Sequence, residues 1–362
     1  MIVSILPSLL IDGIESYIRK RRGRYHYKPL ELYGKNNDFS IVIPAYNAEK
    51  TIEKTLKRIE NYRERTIVVD DGSKDETAKI ARNLGFEVIR SEENGRKIGA
   101  IKLGLENVSS TYTVLLDADS YPERSEVLPN LIQALYEENL IAAGAQVLPE
   151  NPINTIEKLQ YIEYKIAMEI GRRSMAKNRK NICISGAFGA YRTKELKDIT
   201  EIQLKDSHWE GEDLERTLYL LERGDVGYFP DFIVRTVVPE NLKGLTIQRI
   251  RWQKGYLRVH KKFYKMLKRK DEIGLTLWHN WILNIGLHPL KLISLSLLLY
   301  YDIISFPFFY LSYYLLVSSL FSSSASKEEK KLYRKYALIY PFYSLYNLAI
   351  PTTIGYLKGI KR

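Results

Sequence analysis

Acidic side chains stand directly after two apolar, strand-like runs of this 362-residue chain. Asp70 and Asp71 end the first run, in IVVDDGS, and Asp117 and Asp119 end the second, in VLLDADS. Such runs end at the rim of an open α/β sheet, where these folds bind ligands. Carboxylates at that rim suit a divalent cation that bridges them to an anionic ligand. Taken alone, however, a D-x-D is more often an exposed turn.

Two further motifs carry groups that are suited to chemistry. HWEGEDLERT contains Glu212 and Asp213, and a carboxylate within hydrogen-bond reach of a hydroxyl can accept its proton. QRIRW runs from Gln248 through Arg251 to Trp252. Out of context, the two acids are better explained as support for a helix dipole. The alternative explanation of the second motif is that it belongs to an amphipathic helix at the membrane interface. The basic residues around it are then expected to extend their charged ends into water: Arg249, Lys254 and Arg258.

The elements that must position these groups alternate in type. Apolar runs occur at Phe39–Ile43, Thr66–Val69, Phe86–Ile89 and Tyr112–Leu116, with helical patterns near 48–60, 74–84 and 96–108 between them. Strands that alternate with helices predict a mostly parallel, doubly wound sheet. Later elements are predicted at 123–138 (helix), Ile141–Val147 (strand), 153–177 (helix), 182–192 (strand with a glycine turn) and 212–224 (helix).

The last third of the chain has the composition of a membrane region. Residues 292–320 contain one charge in 29 positions, which meets the length needed to span a bilayer. Two close spans are predicted at about 280–300 and 303–321. Residues 336–357 form a third candidate, which Pro341 and Pro351 weaken.

The basic residues are concentrated beside apolar segments. The net charge is +12, and residues 241–270 hold eleven Lys or Arg and no acid. Residues 19–28 form a second basic cluster. This placement favours anionic lipid over nucleic acid, and the positive-inside rule places 243–270 in the cytoplasm. Residues 1–18 lack the features of a cleaved signal peptide and predict an interfacial amphipathic helix, with a spanning helix as the alternative.

In this order, the motifs resemble the family 2 glycosyltransferases with a GT-A fold. The resemblance covers about residues 38–260 and rests on SIVIPAYNAEKTIEKTL, VVDDGSKDET, the D-x-D, the G-E-D and the Q-x-x-R-W. The last motif is typical of the membrane-embedded branch, which includes cellulose, chitin and hyaluronan synthases and ceramide glucosyltransferases. The resemblance therefore implies sugar transfer from a nucleotide-diphospho-sugar, with a UDP-sugar favoured, to an acceptor hydroxyl.

The resemblance also implies roles for the first set of residues. Asp119, with Asp117, would hold Mg²⁺ or Mn²⁺ on the leaving diphosphate. Asp70 and Asp71 would face the uridine and ribose. Lys97 stands where the family has a G-K pair, although Arg96 replaces the glycine here. The nucleotide pocket would be formed by Pro44, Ala45, Tyr46, Asp70, Asp71, Lys97 and Asp117.

The remaining motifs would serve the acceptor and the diphosphate. Asp213 is the predicted general base, and Glu212 is its competitor. Arg251 would pair with the diphosphate, Trp252 would carry the acceptor sugar ring, and Gln248 would bond phosphate or sugar.

The sequence thus predicts an α/β GT-A catalytic domain at 38–240. It would follow an interfacial segment at 1–37 and precede a basic interface helix at 241–277 and membrane helices at 278–362. The predicted function is a membrane-bound, inverting hexosyltransferase on the cytoplasmic face, with a lipid or lipid-linked saccharide as acceptor and membrane lipids as partners. A processive polysaccharide synthase is the main alternative. A catalytically inactive scaffold and a nucleotidyltransferase are the rivals from other classes.

Overall fold

A computed structural model describes residues 27–92, 94–172, 179–205, 210–281 and 326–360. The chain divides into two compact units. The sheet unit consists of Tyr25–Glu150 and Met175–Val237, and the helical unit consists of Met1–Arg24, Asn151–Ser174 and Val238–Arg362. The predicted catalytic segment 38–240 therefore includes residues 151–174, which the structure groups with the C-terminal helices.

The first half of the sheet unit is parallel and follows the predicted alternation. Strands β1 (Phe39–Ala45), β2 (Thr66–Asp70), β3 (Glu87–Arg90) and β4 (Tyr112–Leu116) pair in the order β3-β2-β1-β4. Helices α1 (Ile52–Arg58), α2 (Thr77–Asn83) and α3 (Arg96–Glu106) connect them. Gly104 lets α3 approach the sheet, because a Cβ there would lie 2.5 Å from Val42 Cγ1.

The second half makes the sheet mixed. Strands β5 (Ser120–Pro122), β6 (Ala142–Pro149), β7 (Phe188–Arg192) and β8 (Val226–Thr236) complete the order β3-β2-β1-β4-β7-β6-β8-β5. β7 is antiparallel to both β4 and β6, and β5 is antiparallel to β8. β6 and β8 are parallel, so the second half combines parallel and antiparallel pairs, and the sheet that was predicted to be mostly parallel is mixed.

Three more helices belong to the sheet unit: α4 (Leu128–Glu137), α6 (Thr193–Leu204) and α7 (Glu212–Leu221). Their apolar faces pack on a core that includes the fully buried Val42, Ile43, Val68 and Leu131. Parallel strands β1, β2 and β4 all end at one edge, so their carboxyl ends bring Ala45, Asp70 and Asp117 to the same rim.

The helical unit contains α5 (Thr155–Ile166), α8 (Leu242–Lys262), α9 (Glu272–Trp281), α10 (Lys327–Tyr336), α11 (Tyr340–Asn347) and α12 (Thr353–Ile360). Its core is built from tyrosines of α10 and α11 packed on α5 and α8. The buried members of this core are Leu159, Ile162, Leu245, Tyr333, Tyr336, Ala337, Tyr340 and Tyr343. The predicted helix at 153–177 is shorter as an α-helix, because a π-helix at Ala167–Arg172 follows α5.

The membrane predictions fall mostly outside the described residues. Residues 1–26 and 282–325, which hold the predicted interfacial helix and almost all of the first two spans, lie there. The third candidate, 336–357, is described and is not one continuous helix: α11 passes into a π-helix at Leu348–Thr352 that contains Pro351. Within the described ranges, no helix is both long and apolar enough to cross a bilayer.

His260, on α8, is buried, with an exposed fraction of 3 %. Its Nδ1 donates to the Tyr256 carbonyl at 2.9 Å, and among the described residues its Nε2 has no hydrogen-bond partner. Burial lowers the pKa of His260 to about 4.

This pKa predicts acid sensitivity. In the unfolded chain His260 titrates near its ordinary value, so between about pH 6.5 and pH 4 the unfolded state binds the extra proton. The free energy of unfolding is therefore unaffected by this protonation above about pH 6.5, and it falls by about 3 kcal/mol as the pH falls to about 4. Guanidinium melts from pH 7 to pH 4.5 should show a smaller loss of unfolding free energy for His260→Leu than for the wild type. Equal losses of unfolding free energy in the two proteins would contradict the low pKa of His260.

Candidate active site

The D-x-D lies at the strand rim as predicted. β4 ends at Leu116, and the Ser120 N–H closes a turn on the Asp117 carbonyl at 3.0 Å. The Ser120 hydroxyl donates to Asp119 Oδ1 at 3.0 Å, and the buried Thr55 hydroxyl fixes the Ala118 carbonyl at 3.1 Å. The turn is therefore held from three sides, and both carboxylates are partly accessible.

Lys97 joins this rim to the acids of α7. Its ammonium lies 2.5 Å from Asp117 Oδ1 and 3.6 Å from Glu212 Oε1, and it donates to the Gly186 carbonyl at 3.1 Å. The nucleotide role predicted for Lys97 remains a prediction. Its solvated-helix alternative is wrong, because the side chain is 28 % exposed and carries two carboxylate contacts.

Asp213 lies in the first turn of α7, on the other side of the Gly186 peptide. The Gly186 N–H donates to Asp213 Oδ2 at 3.1 Å. Thr217 ties the loop to the helix, because its hydroxyl donates to the Asp213 carbonyl and accepts from the Ile184 N–H. A side chain at position 186 would crowd the site, since its Cβ would lie 2.9 Å from Lys97 Nζ.

Burial dominates the electrostatics of this cluster. It raises the pKa of Asp117, with Lys97 acting against the shift and Asp119 adding to it. Burial likewise raises the pKa of Glu212, which Lys97 opposes and Asp213 reinforces. For Lys97, burial disfavours the ammonium, but Asp117 and Glu212 hold its pKa above the ordinary range. The Lys97 ammonium therefore compensates the two carboxylates that it contacts, Asp117 and Glu212.

Asp70 and Asp71 are more buried than a ligand-facing pair requires. Asp70 accepts the Ser73 N–H at 3.0 Å and lies 3.4 Å from Arg90 Nε, and the residue is fully buried. Asp71 accepts the Gly95 N–H at 2.8 Å, which fixes the loop before α3. Burial raises the pKa of Asp71, and the N–H groups of Gly95 and Arg96 act against the shift. Both carboxylates shape loops, and their contact with a nucleotide stays a prediction.

Two pockets follow the rim of the sheet. One, of about 670 Å³, is lined by Pro44, Tyr46, Asp117 and Asp119 together with the 47–51 loop. The other, of about 570 Å³, lies at Gly72–Asp75 beside Arg90. Asp75 lines both pockets, so they adjoin, and each has the size of a small-molecule site. Ala45, which was predicted to form part of the nucleotide pocket, is buried in β1, and its carbonyl accepts the Asp71 N–H.

Asp117 and Asp119 are suited to bind a divalent cation whose other coordination positions are filled by a bound ligand and by water. Among the described residues, no three His, Cys, Asp or Glu side chains converge as a metal cage. Mg²⁺ and Mn²⁺ at phosphates do not require one, because one or two carboxylates plus phosphate oxygens and water are enough. Asp117 and Asp119 provide that donor set, at the partly accessible end of the 670 Å³ pocket.

The Q-x-x-R-W residues lie on α8, in the helical unit. Arg251 is exposed, Gln248 is partly buried with its Oε1 unpartnered, and Trp252 is 41 % exposed. The snorkelling predicted for Arg249 is wrong. Its guanidinium is buried, 2.6 Å from Glu163 and 4.4 Å from the centre of the Trp252 ring, because the acid on α5 compensates its charge.

Sequence reasoning missed several residues that shape these sites. Gly186 links Lys97 to Asp213, and the only signal for it was the glycine turn in ICISGAFGAYR. Arg216, one helical turn after Glu212, is 1 % exposed, and its Nε and Nη2 have no hydrogen-bond partner within the described part of the chain. Arg90 and Glu163 carried no motif at all.

The Lys97 contacts predict a large stability effect. Lys97→Met leaves Asp117 and Glu212 without their cation, so we expect the free energy of unfolding to fall by about 3 kcal/mol. Lys102→Met is the matched control on the same helix, because Lys102 is 41 % exposed and its carboxylate neighbours are 3.5 and 3.9 Å away. That change should cost less than about 1 kcal/mol. Guanidinium denaturation measures both, and equal losses would show that Lys97 is a surface lysine.

Comparison with known proteins agrees with this geometry. Residues 40–200, which contain the strand rim, Lys97 and the D-x-D, match Glycosyl transferase family 2. Residues 40–200 therefore form a domain of glycosyltransferase family 2. This assignment confirms the resemblance inferred from the motifs, and the mixed sheet is that of a GT-A fold.

Curated relatives of this glycosyltransferase include polymer synthases. The poly-β-1,6-N-acetyl-D-glucosamine synthase of Staphylococcus aureus is 27 % identical over 267 residues, which are 70 % of this chain and 63 % of the relative. The synthase of the same name from Staphylococcus epidermidis is 27 % identical over 245 residues, 64 % of this chain and 58 % of the relative. The chain thus spans about three fifths of the length of these relatives.

A solved structure resembles almost the whole glycosyltransferase. It is the mannosyltransferase PcManGT from Pyrobaculum calidifontis, solved in complex with GDP-Man and Mn²⁺. The TM-score is 0.67 at 15 % identity, and the match covers 99 % of this chain and 97 % of the other. At this identity the likeness supports the fold.

Proposed function

We propose that this chain is a membrane-bound, metal-dependent, inverting glycosyltransferase. It would move a sugar from a nucleotide-diphospho-sugar, with a UDP-sugar favoured, to a hydroxyl of a lipid or lipid-linked saccharide. The observation that supports this most is the convergence of the Asp117–Asp119 turn, Lys97 and the Glu212–Asp213 pair around Gly186. Such a cluster offers a metal-binding edge and a proton acceptor within one rim.

Each residue of the sheet unit has a defined task in this proposal. The pocket at Pro44 and Tyr46 would hold the donor. Asp117 and Asp119 would hold Mg²⁺ or Mn²⁺, which when bound supplies positive charge to the leaving diphosphate. Asp213 would accept the acceptor hydroxyl proton at Oδ2 or Oδ1, and the Gly186 N–H keeps that carboxylate oriented.

Lys97 would hold the two parts of the site, the D-x-D turn and the start of α7, in fixed positions. Its contacts to Asp117 and Glu212 hold the D-x-D turn beside the start of α7, and they leave Glu212 tied to a cation. This contact favours Asp213 as the base, because the Glu212 carboxylate is engaged by the Lys97 ammonium, whereas the Asp213 carboxylate is held by the N–H groups of Gly186 and Leu214.

The membrane assignment rests on the sequence of the C-terminal third and on the basic stretch at 241–270. We propose that residues within 278–325 cross the bilayer and that α8 stays at the cytoplasmic face. Apolar side chains exposed on the helical unit agree with a lipid surface: Leu338, Ile339, Phe342, Ile350 and Leu357. Extraction with alkaline carbonate should leave the protein in the membrane pellet.

A processive polysaccharide synthase is the second candidate. The match to poly-β-1,6-N-acetyl-D-glucosamine synthases over 70 % of the chain favours it, and the donor would then be a UDP-N-acetylhexosamine. The two candidates share the chemistry of the rim and differ in product length.

One assay addresses both candidates. The purified protein would be offered UDP-glucose, UDP-N-acetylglucosamine, UDP-galactose and GDP-mannose with Mn²⁺ and membrane lipids, and nucleotide release and products would be measured. We expect one donor to be used, with a labelled product of one or a few sugars in the lipid fraction. A polymer ladder would support the synthase, and no release from any donor would contradict the proposed activity.

A further inference from the structure

A buried charge network in the helical unit joins three segments that are far apart in sequence. Arg249 of α8 lies 2.6 Å from Glu163 Oε2 of α5, and the hydroxyl of Tyr343, on α11, donates to the same oxygen at 2.6 Å. Arg249 also donates to the Tyr343 oxygen at 3.4 Å. The side chains of Arg249 and Glu163 are 11 % and 30 % exposed, so the arginine is largely removed from water and the glutamate is partly accessible.

Arg249 and Tyr343 are each held in one protonation state. Burial disfavours the charge of Arg249, but Glu163 together with Tyr164 and Tyr343 holds the arginine pKa above its usual range. Burial, reinforced by Glu163, raises the pKa of Tyr343, so this hydroxyl remains a donor. A buried ion pair often adds little net stability, and its best-attested use is to fix one arrangement among several.

The arrangement that this triad fixes includes Trp252. The Arg249 guanidinium lies 4.4 Å from the centre of the indole, and the Tyr164 ring meets it edge-on at 6.3 Å. Trp252 is nevertheless 41 % exposed. A half-exposed tryptophan that is held by a buried arginine keeps one rotamer and presents its free surface in a constant direction.

We propose that Glu163 and Tyr343 are positioning residues for the acceptor platform, acting on Trp252 through Arg249. The inference rests on the proposed function and on the role that the family resemblance implies for Trp252, which would carry the acceptor sugar ring. The inference extends the acceptor site to Glu163 and Tyr343, two residues outside the Q-x-x-R-W, and thereby to helices α5 and α11.

The same unit provides a matched control network. Lys165 of α5 lies 3.1 Å from Glu329 Oε1 of α10, and the Tyr161 hydroxyl donates to that oxygen at 3.1 Å. The Lys165 and Glu329 side chains are 12 % and 15 % exposed. This network also ties α5 to the C-terminal helices with a tyrosine, a glutamate and a cation, whereas the ring contacts of Trp252 among the described residues are with Tyr164 and Arg249.

The experiment compares Glu163→Gln and Tyr343→Phe with Glu329→Gln in the full-length protein. Acrylamide quenching of Trp252, obtained by subtracting the signal of the corresponding Trp252→Phe protein, reports the tryptophan without any assay of activity. We expect Glu163→Gln to raise the quenching constant about twofold, with a smaller rise for Tyr343→Phe and none for Glu329→Gln.

Kinetics then link this change to the acceptor. Glu163→Gln should raise the acceptor KM by about tenfold and leave the donor Kd, measured by calorimetry, unchanged, while Glu329→Gln changes neither. Arg249→Lys keeps the charge and loses the planar stack, so it should reproduce the Glu163→Gln effect.

The two readouts separate the possible failures. Unchanged quenching in Glu163→Gln, or equal changes in Glu163→Gln and Glu329→Gln, would overturn the positioning role. A raised quenching constant together with an unchanged acceptor KM would show that the triad holds Trp252 but that the acceptor platform lies elsewhere.

Discussion

Asp213→Asn is expected to slow sugar transfer by on the order of 10²-fold or more while the donor still binds. The amide keeps the shape of the carboxylate and can still accept the Gly186 N–H through its oxygen, but it cannot take the acceptor proton. Transfer rate at saturating donor and acceptor, measured beside donor Kd by calorimetry, tests this expectation.

Glu212→Gln is the matched variant, one residue away. Glu212 is paired with Lys97, so its loss should disturb the rim and the stability of the fold more than the proton transfer itself. A dead Glu212→Gln enzyme beside a nearly normal Asp213→Asn enzyme would reverse the assignment of the base.

Asp119→Ala should abolish measurable transfer, and EDTA should do the same to the wild type. Asp119 is the predicted direct ligand of the metal, and the Lys97 ammonium already lies 2.5 Å from the other rim acid, Asp117. The expected loss exceeds that of Asp213→Asn, because without the cation the diphosphate leaves without charge compensation. Titration of donor binding with and without Mn²⁺ separates a metal effect from a folding effect.

Asp198→Ala controls for the loss of one surface charge in the sheet unit. Asp198 is 53 % exposed and pairs with Arg223 at 3.1 Å, so this variant should retain activity. Full transfer by the wild type in EDTA would rule out the metal-assisted mechanism.

The fold was predictable where the sequence pattern is local. β1, β2 and β4 begin at the predicted residues, and α3 ends within two residues of its prediction, because buried parallel strands read as continuous apolar runs. β8 was missed, since Gly227 and Pro230 interrupt its pattern. In the structure the register of β6 against β8 shifts between Ala145 and Gln146, opposite Pro230, and this irregularity accommodates the proline.

The candidate site was predictable as a set of residues but not as a network. Motif spacing identified the D-x-D and the G-E-D, yet the contact between Lys97 and Gly186 joins residues 89 positions apart. Similarly, Tyr343 donates to Glu163 across 180 positions, and neither residue belongs to a motif. Such pairs depend on the tertiary packing of helices and loops, which hydrophobic periodicity does not encode.

The anomeric configuration of the product tests the account most directly. In a single displacement with Asp213 as base, the acceptor oxygen attacks opposite the diphosphate, so the configuration at the transferred carbon inverts. NMR of the product formed from an α-linked nucleotide sugar should therefore show a β-linkage. An α-linked product would indicate retention and would contradict the role of Asp213 as the general base of a single displacement.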